Sequence, residues 1–364
     1  MYDVKFDLTN IAKMEVPEGI SVIDDIIDGY KNYQILSVAL EVDIFGEIAD
    51  NGPSSSRDIA KSALVNGRLI KSILIALEDI GLLRSNKDKY FLTETAETFL
   101  LKESPLYQGD LILSAGSYKS EWNNLIAVLL HQKGPVEAPK ELDEFQIRSI
   151  AQQSIRGEVQ KVIKEIVSYP RFSESEYLLD VGGSPGLYSI ALCQENNELI
   201  ARILVQNHVI PLTSSFVRRY GMDDRIKVQK GGIKNLMKNR EGKRYDIVLI
   251  SNFLYKYPLE MGDILENVPL ILNPGGILVL NHHFCSPNCD IKPVDGVHEI
   301  DRVLSSFENP LCHPKGLKKI IEDLGFMNVY LTPHETASGH AVLCIGTKEG
   351  ELPKASKVAG KTHI

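Results

Sequence analysis

Residues 178–188 read LLDVGGSPGLY, an apolar strand that breaks into a glycine-rich turn and opens a helix. Glycines let the backbone adopt positive φ and approach a ligand closely, while a helix N-terminus presents free N–H groups. In a doubly wound sheet, ligands bind in the crevice at such strand ends. The motif therefore predicts a ligand site here, and a tight turn without a ligand is the alternative interpretation.

Short apolar runs alternate with helical stretches from this turn to the C-terminal region. The runs cover residues 177–183, 201–207, 225–231, 245–251, 276–284, 327–333 and 341–347. Alternation of this kind is typical of a parallel sheet with helices on both faces. It predicts a doubly wound, mostly parallel α/β domain over residues 177–350.

The chain before residue 115 has a different pattern, with apolar residues at helical spacing in several short blocks. A two-stranded hairpin is expected around Asn86–Asp88, so the order of helices and hairpin predicts a winged helix. Ser54–Ser56 with Asp58, and then Asn66, are expected to cap helices. One apolar helix face is expected to comprise Leu69, Ile73, Leu74, Leu77 and Ile80.

Four segments follow from these patterns: a mostly helical domain at 1–115, linking helices at 116–176, the α/β domain at 177–350 and a disordered tail at 351–364. The linking segment is expected to contain one continuous helix from about Phe145 to Val167.

Composition excludes several classes of protein. The 364 residues carry a formal charge of −8 and a pI near 5.7, which does not suit a dedicated nucleic-acid binder. No apolar stretch of about 18 residues predicts a membrane span, and the first ten residues do not resemble a secretion signal. Five cysteines, sparse and odd in number, suit a reducing compartment. A cytoplasmic protein is expected, without a nucleic-acid or membrane partner.

The order of these motifs resembles the S-adenosylmethionine-dependent O-methyltransferases that carry an N-terminal winged-helix dimerisation domain. The resemblance extends from about Gly29 to Thr347 and includes the DVGG turn, Gly231-Gly232, the LNPGG turn at 272–276 and the helix at 317–326. It implies a Rossmann-like methyltransferase domain, a small-molecule substrate and a homodimer formed through the N-terminal domain.

The resemblance also implies S-adenosylmethionine as cofactor. The positions that match its site are Asp180, Gly182, Gly183, Gly186, Gln206, Gly232, Ile233 and Ser251. Two acids of the family pattern are missing, because Val205 stands where a carboxylate accepts the ribose hydroxyls and Ile233 where one faces adenine. Gln206 can hydrogen-bond one hydroxyl but brings no charge.

The catalytic histidine of the family is replaced by Tyr255, a weak base at neutral pH if its phenol keeps a pKa near 10. Tyrosine at this place is similar to the bacteriochlorophyll ring methyltransferase, which pairs it with a histidine and also lacks the ribose acid. By order and spacing His298 corresponds to that histidine. The resemblance thus implies Tyr255 and His298 as the catalytic pair. A packed aromatic at Tyr255 and a solvated His298 are the alternatives.

Trp122, His283 and Phe307 are expected to line the substrate pocket. The cysteines Cys285, Cys289 and Cys312, together with His282, His283 and His313, have the composition of a soft metal site. Their spacing does not match a closed zinc module, and a loop over the pocket is the expected role, with no metal.

Three functions follow for comparison. The first is methylation of oxygen or carbon on a small aromatic or tetrapyrrole-like molecule. The second is a methyltransferase fold repurposed for another reaction or ligand, because both cofactor acids and the histidine are absent. The third, DNA binding by the winged helix, is disfavoured because Arg68 and Lys71 are offset by Glu78 and Asp79.

Overall fold

The computed structural model describes residues 12, 16–117, 120–130, 142–232, 244–254, 261–283, 296–306, 313–336 and 339–350. The chain divides into two compact units, Met1–Leu113 and Ser114–Ile364. The helices are α1 (Ile20–Glu41), α2 (Ile44–Asn51), α3 (Ser56–Ser62), α4 (Gly67–Asp79), α5 (Glu94–Phe99), α6 (Gly109–Ala115), α7 (Leu125–Leu129), α8 (Glu144–Ser154), α9 (Glu158–Val167), α10 (Leu187–Glu195), α11 (Ile210–Arg219), α12 (Met261–Glu266), α13 (Val268–Ile271), α14 (Gly296–Ser306) and α15 (Pro314–Asp323). The strands are β1 (Ser54–Ser55), β2 (Leu83–Asn86), β3 (Lys89–Leu92), β4 (Tyr177–Val181), β5 (Ile200–Val205), β6 (Ile226–Lys230), β7 (Tyr245–Ser251), β8 (Leu272–His283), β9 (Phe326–Thr336) and β10 (Gly339–Lys348).

The N-terminal unit packs its first four helices and a β2–β3 hairpin around one apolar core. Strand β1 joins the hairpin to give a three-stranded antiparallel sheet in the order β1-β3-β2. The predicted order of helices and hairpin is confirmed. Helix α1 begins at Ile20 and ends at Glu41, and Asp43, whose φ is +57°, precedes α2.

Both predicted helix caps are confirmed. The Ser55 hydroxyl accepts from the Asp58 N–H at 3.3 Å, and the Asp58 carboxylate accepts from the Ser55 N–H, which makes a capping box. The Asn66 side chain accepts from two N–H groups of the first turn of α4. The predicted position of Leu69 in the core is wrong, because it is 60% exposed. The buried stripe of α4 is Ile70, Leu74 and Leu77, spaced four and three residues apart.

The C-terminal unit is built on a seven-stranded sheet in the order β6-β5-β4-β7-β8-β10-β9. The strands from β6 to β8 are parallel, while β10 pairs antiparallel with both β8 and β9. All seven predicted strands are present, and the doubly wound, mostly parallel sheet is confirmed. The chain winds outward in opposite directions from β4 and β7, so the switch point lies between their carboxyl ends.

Helices cover both faces of this sheet. Successive residues of a strand point to opposite faces, so each strand contributes to two cores. Leu178 contributes to the core beneath α8, α9, α10 and α11, whereas Leu179 contributes to the core beneath α12, α13 and α15. Strands buried on both faces explain the nearly continuous apolar runs of the sequence. The polar ends of these strands are therefore left to form the site.

The prediction of one helix from Phe145 to Val167 is wrong. Gly157 has φ +124°, a conformation that no helix contains, and it separates α8 from α9. Glu158 is consequently the first residue of a new helix, and its side chain is buried.

Across the described part of the chain, no helix combines the length and the apolarity needed to cross a membrane.

Candidate functional site

The glycine turn after β4 is shaped by contacts within the protein. Gly182 has φ +75°, and its N–H donates to the Leu204 carbonyl at 2.9 Å. A Cβ at Gly182 would lie 2.6 Å from the Phe253 ring, and one at Gly183 would collide with the Asp180 carboxyl group. Packing inside the protein alone therefore requires both glycines, whatever ligand the crevice holds.

Asp180 supports this turn from beneath, because it is fully buried at the end of β4. The Ser189 hydroxyl donates to its Oδ2 at 2.7 Å, and no described residue donates to its Oδ1. Burial raises the pKa of Asp180 to about 7. The carboxyl group predicted to contact a cofactor is thus buried against the backbone of Gly183.

Helix α10 follows the turn and begins without a side-chain cap. Its N-cap residue is Gly186, with φ +96°. Among the described residues no side chain accepts from the N–H groups of its first turn. A helix N-terminus of this kind attracts a carboxylate or phosphate through its free N–H groups and dipole. The turn and α10 together can hold the carboxylate end of an amino-acid-bearing ligand.

The ends of β5 and β6 lie beside this turn. Val205 is 3% exposed and packs in the core, so it offers nothing polar to a ligand. Gln206, the next residue, is exposed, and its amide is the polar group closest in sequence to the strand end. Gly232 follows β6 and has open space where a Cβ would stand, which leaves room beside the strand end. The predicted residue Ile233 lies outside the described residues.

Strands β7 and β8 bring their carboxyl ends together on the other side of the switch point. Ser251 and Asn281 are paired in register, and the Asn281 amide donates to the Ser251 hydroxyl at 3.2 Å. The Asn252 N–H donates to the Asn281 carbonyl at 2.7 Å, and Asn252 itself has φ +47°. The predicted site residue Ser251 is therefore part of a polar arrangement at the crevice.

A buried acid that the sequence analysis missed lies at the centre of this arrangement. Glu158 Oε1 accepts from Tyr188 Oη at 2.9 Å, from Asn281 Nδ2 at 2.8 Å and from Asn252 Nδ2 at 3.3 Å. We call these four residues the Glu158 cluster. Glu158 is 8% exposed and Asn281 is fully buried. Burial, and then the nearby Glu158 charge, raise the pKa of Tyr188 well above its ordinary value, so Tyr188 stays a donor.

One sequence signal pointed to this acid. Glu158 lies four and eight residues before Val162 and Ile166, which are buried, so it shares their helix face. A carboxylate on an apolar stripe is seldom buried without partners.

The two histidines at the end of β8 point to opposite faces of the sheet. His282 is 3% exposed, and burial lowers its pKa to about 3, which keeps the ring neutral. His283 and His334 both pair with Ala341, so their side chains share the face that carries Asn281. Burial lowers the pKa of His334. A backbone hydrogen bond at Thr332 and the nearby Glu158 carboxylate act in the opposite direction, but burial is the larger effect. The predicted substrate residue His283 thus lies on the face of the Glu158 cluster.

The predicted substrate residue Trp122 is linked to the helix of the predicted base. Its indole N–H donates to Asp301 Oδ1 at 2.5 Å, and Asp301 lies on α14. His298 lies one turn earlier on the same helix and is partly buried. Because residues three apart share a helix face, Trp122 contacts the side of α14 that carries His298.

Two further predicted residues, Tyr255 and Phe307, lie outside the described residues, as do Cys285, Cys289 and Cys312. Within the ranges that the structure does describe, no group of three or more His, Cys, Asp or Glu side chains is placed to hold a metal ion.

Comparison with known proteins gives a domain match and a fold. An O-methyltransferase dimerisation domain matches residues 24–102. An uncharacterized protein of Methanocaldococcus jannaschii is 24% identical over 311 residues, which are 83% of this chain and 78% of that protein.

Solved structures match nearly the whole chain. An O-methyltransferase family protein from Burkholderia thailandensis has a TM-score of 0.71 at 15% identity, covering 93% of this chain and 100% of that one. Human N-acetylserotonin methyltransferase in complex with S-adenosylmethionine has a TM-score of 0.70 at 13% identity, covering 92% and 99%. The chain therefore carries the O-methyltransferase dimerisation domain at residues 24–102 and has the fold of O-methyltransferase family proteins.

Proposed function

We propose that the protein is an S-adenosylmethionine-dependent methyltransferase that methylates oxygen or carbon of a small aromatic or tetrapyrrole-like molecule. One observation carries the proposal: the glycine turn and the uncapped start of α10 lie at the switch point of a methyltransferase-type sheet. The solved structure of human N-acetylserotonin methyltransferase, which has the same fold, is a complex with S-adenosylmethionine. This supports the same cofactor for the present chain.

The described residues fit this cofactor at its amino-acid end. Free N–H groups at the start of α10 suit its carboxylate, and Gln206 suits one ribose hydroxyl. When bound, the cofactor supplies a methyl group on a sulfonium leaving group. The protein then has to hold the acceptor in line, exclude water and remove one proton. We assign the last role to Tyr255 with His298, and we place Trp122, His283 and Phe307 along the acceptor.

A homodimer through the N-terminal unit is part of the proposal. Helix α1 exposes an apolar surface in its first half, which comprises Ile20, Val22, Ile23, Ile26, Ile27 and Tyr30. Contiguous apolar surface of this kind is seldom left in water. The match of residues 24–102 to a dimerisation domain supports a second copy of the chain as its cover.

Calorimetric titration with S-adenosylmethionine and S-adenosylhomocysteine tests the cofactor assignment. We expect both to bind, because the turn and α10 contact parts that the two molecules share. Guanosine, which has a ribose but no amino-acid end, is the control and is expected to give no heat. Absence of binding up to millimolar concentrations of either adenosyl compound would reject the assignment.

The second candidate function is a repurposed methyltransferase fold with another ligand in the crevice. One observation favours it. Val205 stands at the end of β5, where the family has the carboxylate that binds the ribose, and its side chain is buried in the core. Each missing charged hydrogen bond weakens binding by about 1.5–3 kcal/mol. The titration above separates the two functions, since the second predicts no adenosyl ligand.

Substitution of the proposed catalytic pair gives a separate prediction. Tyr255→Phe and His298→Ala are each expected to lower turnover about 100-fold or more, the usual contribution of proton transfer. Their affinity for S-adenosylhomocysteine is expected to stay within about twofold, because neither is assigned to the cofactor. Single-turnover assays and calorimetry measure the two quantities. Full activity in both variants would show that the pair is assigned wrongly.

A further inference from the structure

The Glu158 cluster has hydrogen-bond acceptors to spare. Its donors, the Tyr188 hydroxyl and the amide N–H groups of Asn252 and Asn281, all converge on Glu158 Oε1. The amide oxygens of both asparagines are buried and accept no hydrogen bond from the described residues. Glu158 Oε2 likewise has no donor among them. Apart from one N–H of Asn252, the unused groups of the cluster are therefore acceptors.

The cluster also carries a charge that nothing described neutralises by contact. No described lysine or arginine lies within ion-pair distance of Glu158. The donors onto Oε1 are neutral, and burial lowers the pKa of His334, the histidine whose interaction with the Glu158 carboxylate opposes part of that shift. A buried carboxylate without a cation is expensive, and a buried acceptor without a donor costs about 1–3 kcal/mol.

The position of the cluster connects it with the crevice. Asn252 and Asn281 are at the carboxyl ends of β7 and β8, beside the switch point. Tyr188 is the second residue of α10, which begins at the glycine turn. Phe253, next to Asn252, packs against Gly182 of that turn. A ligand held at the turn is therefore a close neighbour of the cluster.

We propose that the Glu158 cluster binds a cationic group of a ligand in the crevice, with Glu158 supplying the opposite charge and the two asparagine oxygens supplying acceptors. A neutral hydroxyl would satisfy one acceptor and leave the charge unmatched. A cation matches the charge, and a cation that carries N–H groups also donates to the acceptors.

Two molecules can supply the cation, and both follow from the proposed function. One is the methyl donor, through its sulfonium, and the other is the acceptor molecule, through a protonated amine. The second source extends the substrate class from hydroxyl and carbon acceptors to small molecules that carry an amine.

Two ligand pairs, each with one member charged and the other neutral at a single group, test the inference by calorimetry. S-adenosylhomocysteine is neutral at sulfur, whereas sinefungin carries an ammonium group where the donor has its sulfonium. Tryptamine and tryptophol, titrated into the S-adenosylhomocysteine complex, form an amine and alcohol pair with one ring system. Each pair is measured on the wild type, on Glu158→Gln, and on Glu165→Gln as the control. Glu165 lies two turns along the same helix.

If the donor is the source, the wild type binds sinefungin about tenfold or more tightly than S-adenosylhomocysteine, and E158Q loses that preference but still binds S-adenosylhomocysteine. If the acceptor is the source, the preference for tryptamine over tryptophol is lost in E158Q and the adenosyl affinities stay unchanged. E165Q keeps the wild-type pattern in both cases.

Absence of a charge preference in the wild type for both pairs overturns the inference, and so does a preference that survives in E158Q. If E158Q does not fold, Glu158→Asp keeps the charge and is expected to keep the preference, while the wild-type comparison still decides. Failure of S-adenosylhomocysteine to bind at all rejects the proposed function instead. Tryptamine and tryptophol titrated into the protein alone then test the cation site separately.

Discussion

Replacement of Gly182 by alanine is expected to lower the free energy of unfolding by about 2–4 kcal/mol. Two causes add. Gly182 has φ +75°, where an L-residue is strained, and its new Cβ would lie 2.6 Å from the Phe253 ring. Urea denaturation followed by circular dichroism measures the loss. The same substitution is expected to weaken adenosyl-ligand binding, because the turn must move to admit the methyl group.

Gly262→Ala is the matched control. Gly262 lies within α12, with open space where the Cβ would stand. Alanine is favoured over glycine inside a helix by up to about 1 kcal/mol, so this variant is expected to be as stable as the wild type or more so.

A double-mutant cycle with Phe253→Ala separates the two causes of the Gly182→Ala effect. Removing the ring abolishes the collision but leaves the backbone strain, so the double variant is expected to lose less than the sum of the single losses. Additive losses would show that the ring does not press on the turn. A G182A protein as stable as the wild type would contradict the whole description of the turn.

Conversion of the proposed dimer to a monomer is the expected result of Ile23→Asp combined with Ile26→Asp. These side chains are 51% and 67% exposed on α1. Burial of an isoleucine contributes about 1.5–3 kcal/mol, and a two-fold axis counts each residue twice. Loss of the two isoleucines in each of the two subunits therefore removes about 6–12 kcal/mol of association free energy. The new carboxylates oppose burial as well.

Sedimentation velocity over a range of protein concentrations measures the oligomeric state. Leu64→Asp is the control, since Leu64 is 91% exposed and lies outside α1, and it is expected to leave the dimer intact. Circular dichroism checks that each variant keeps its helices. A double variant that sediments as a dimer would show that another surface joins the subunits.

Local signals predicted most of the secondary structure. The apolar runs are strands because each is buried on both faces, and the caps at Ser55 and Asn66 form because their side chains accept from neighbouring N–H groups. These features depend on residues a few positions apart, which a sequence displays directly. The turn at residues 182–186 was predicted for the same reason.

The site was predicted only in part. Ser251 and His283 lie at the ends of β7 and β8, and Trp122 donates to Asp301 on the helix that carries His298. Asp180 was expected to contact the cofactor, and the structure buries its side chain fully. Glu158 was missed altogether, since its three partners come from a helix and two strand ends far along the chain.

The sequence by itself determined where strands, turns and capped helices form, because propensity, apolar spacing and capping act over a few residues. Only the tertiary structure decided that β10 inserts antiparallel between β8 and β9, and that Gly157 starts a new helix. It also decided that a carboxylate on that helix meets a tyrosine and two asparagines. Contacts of this kind depend on which buried surfaces pack together, and that is settled by the whole core at once.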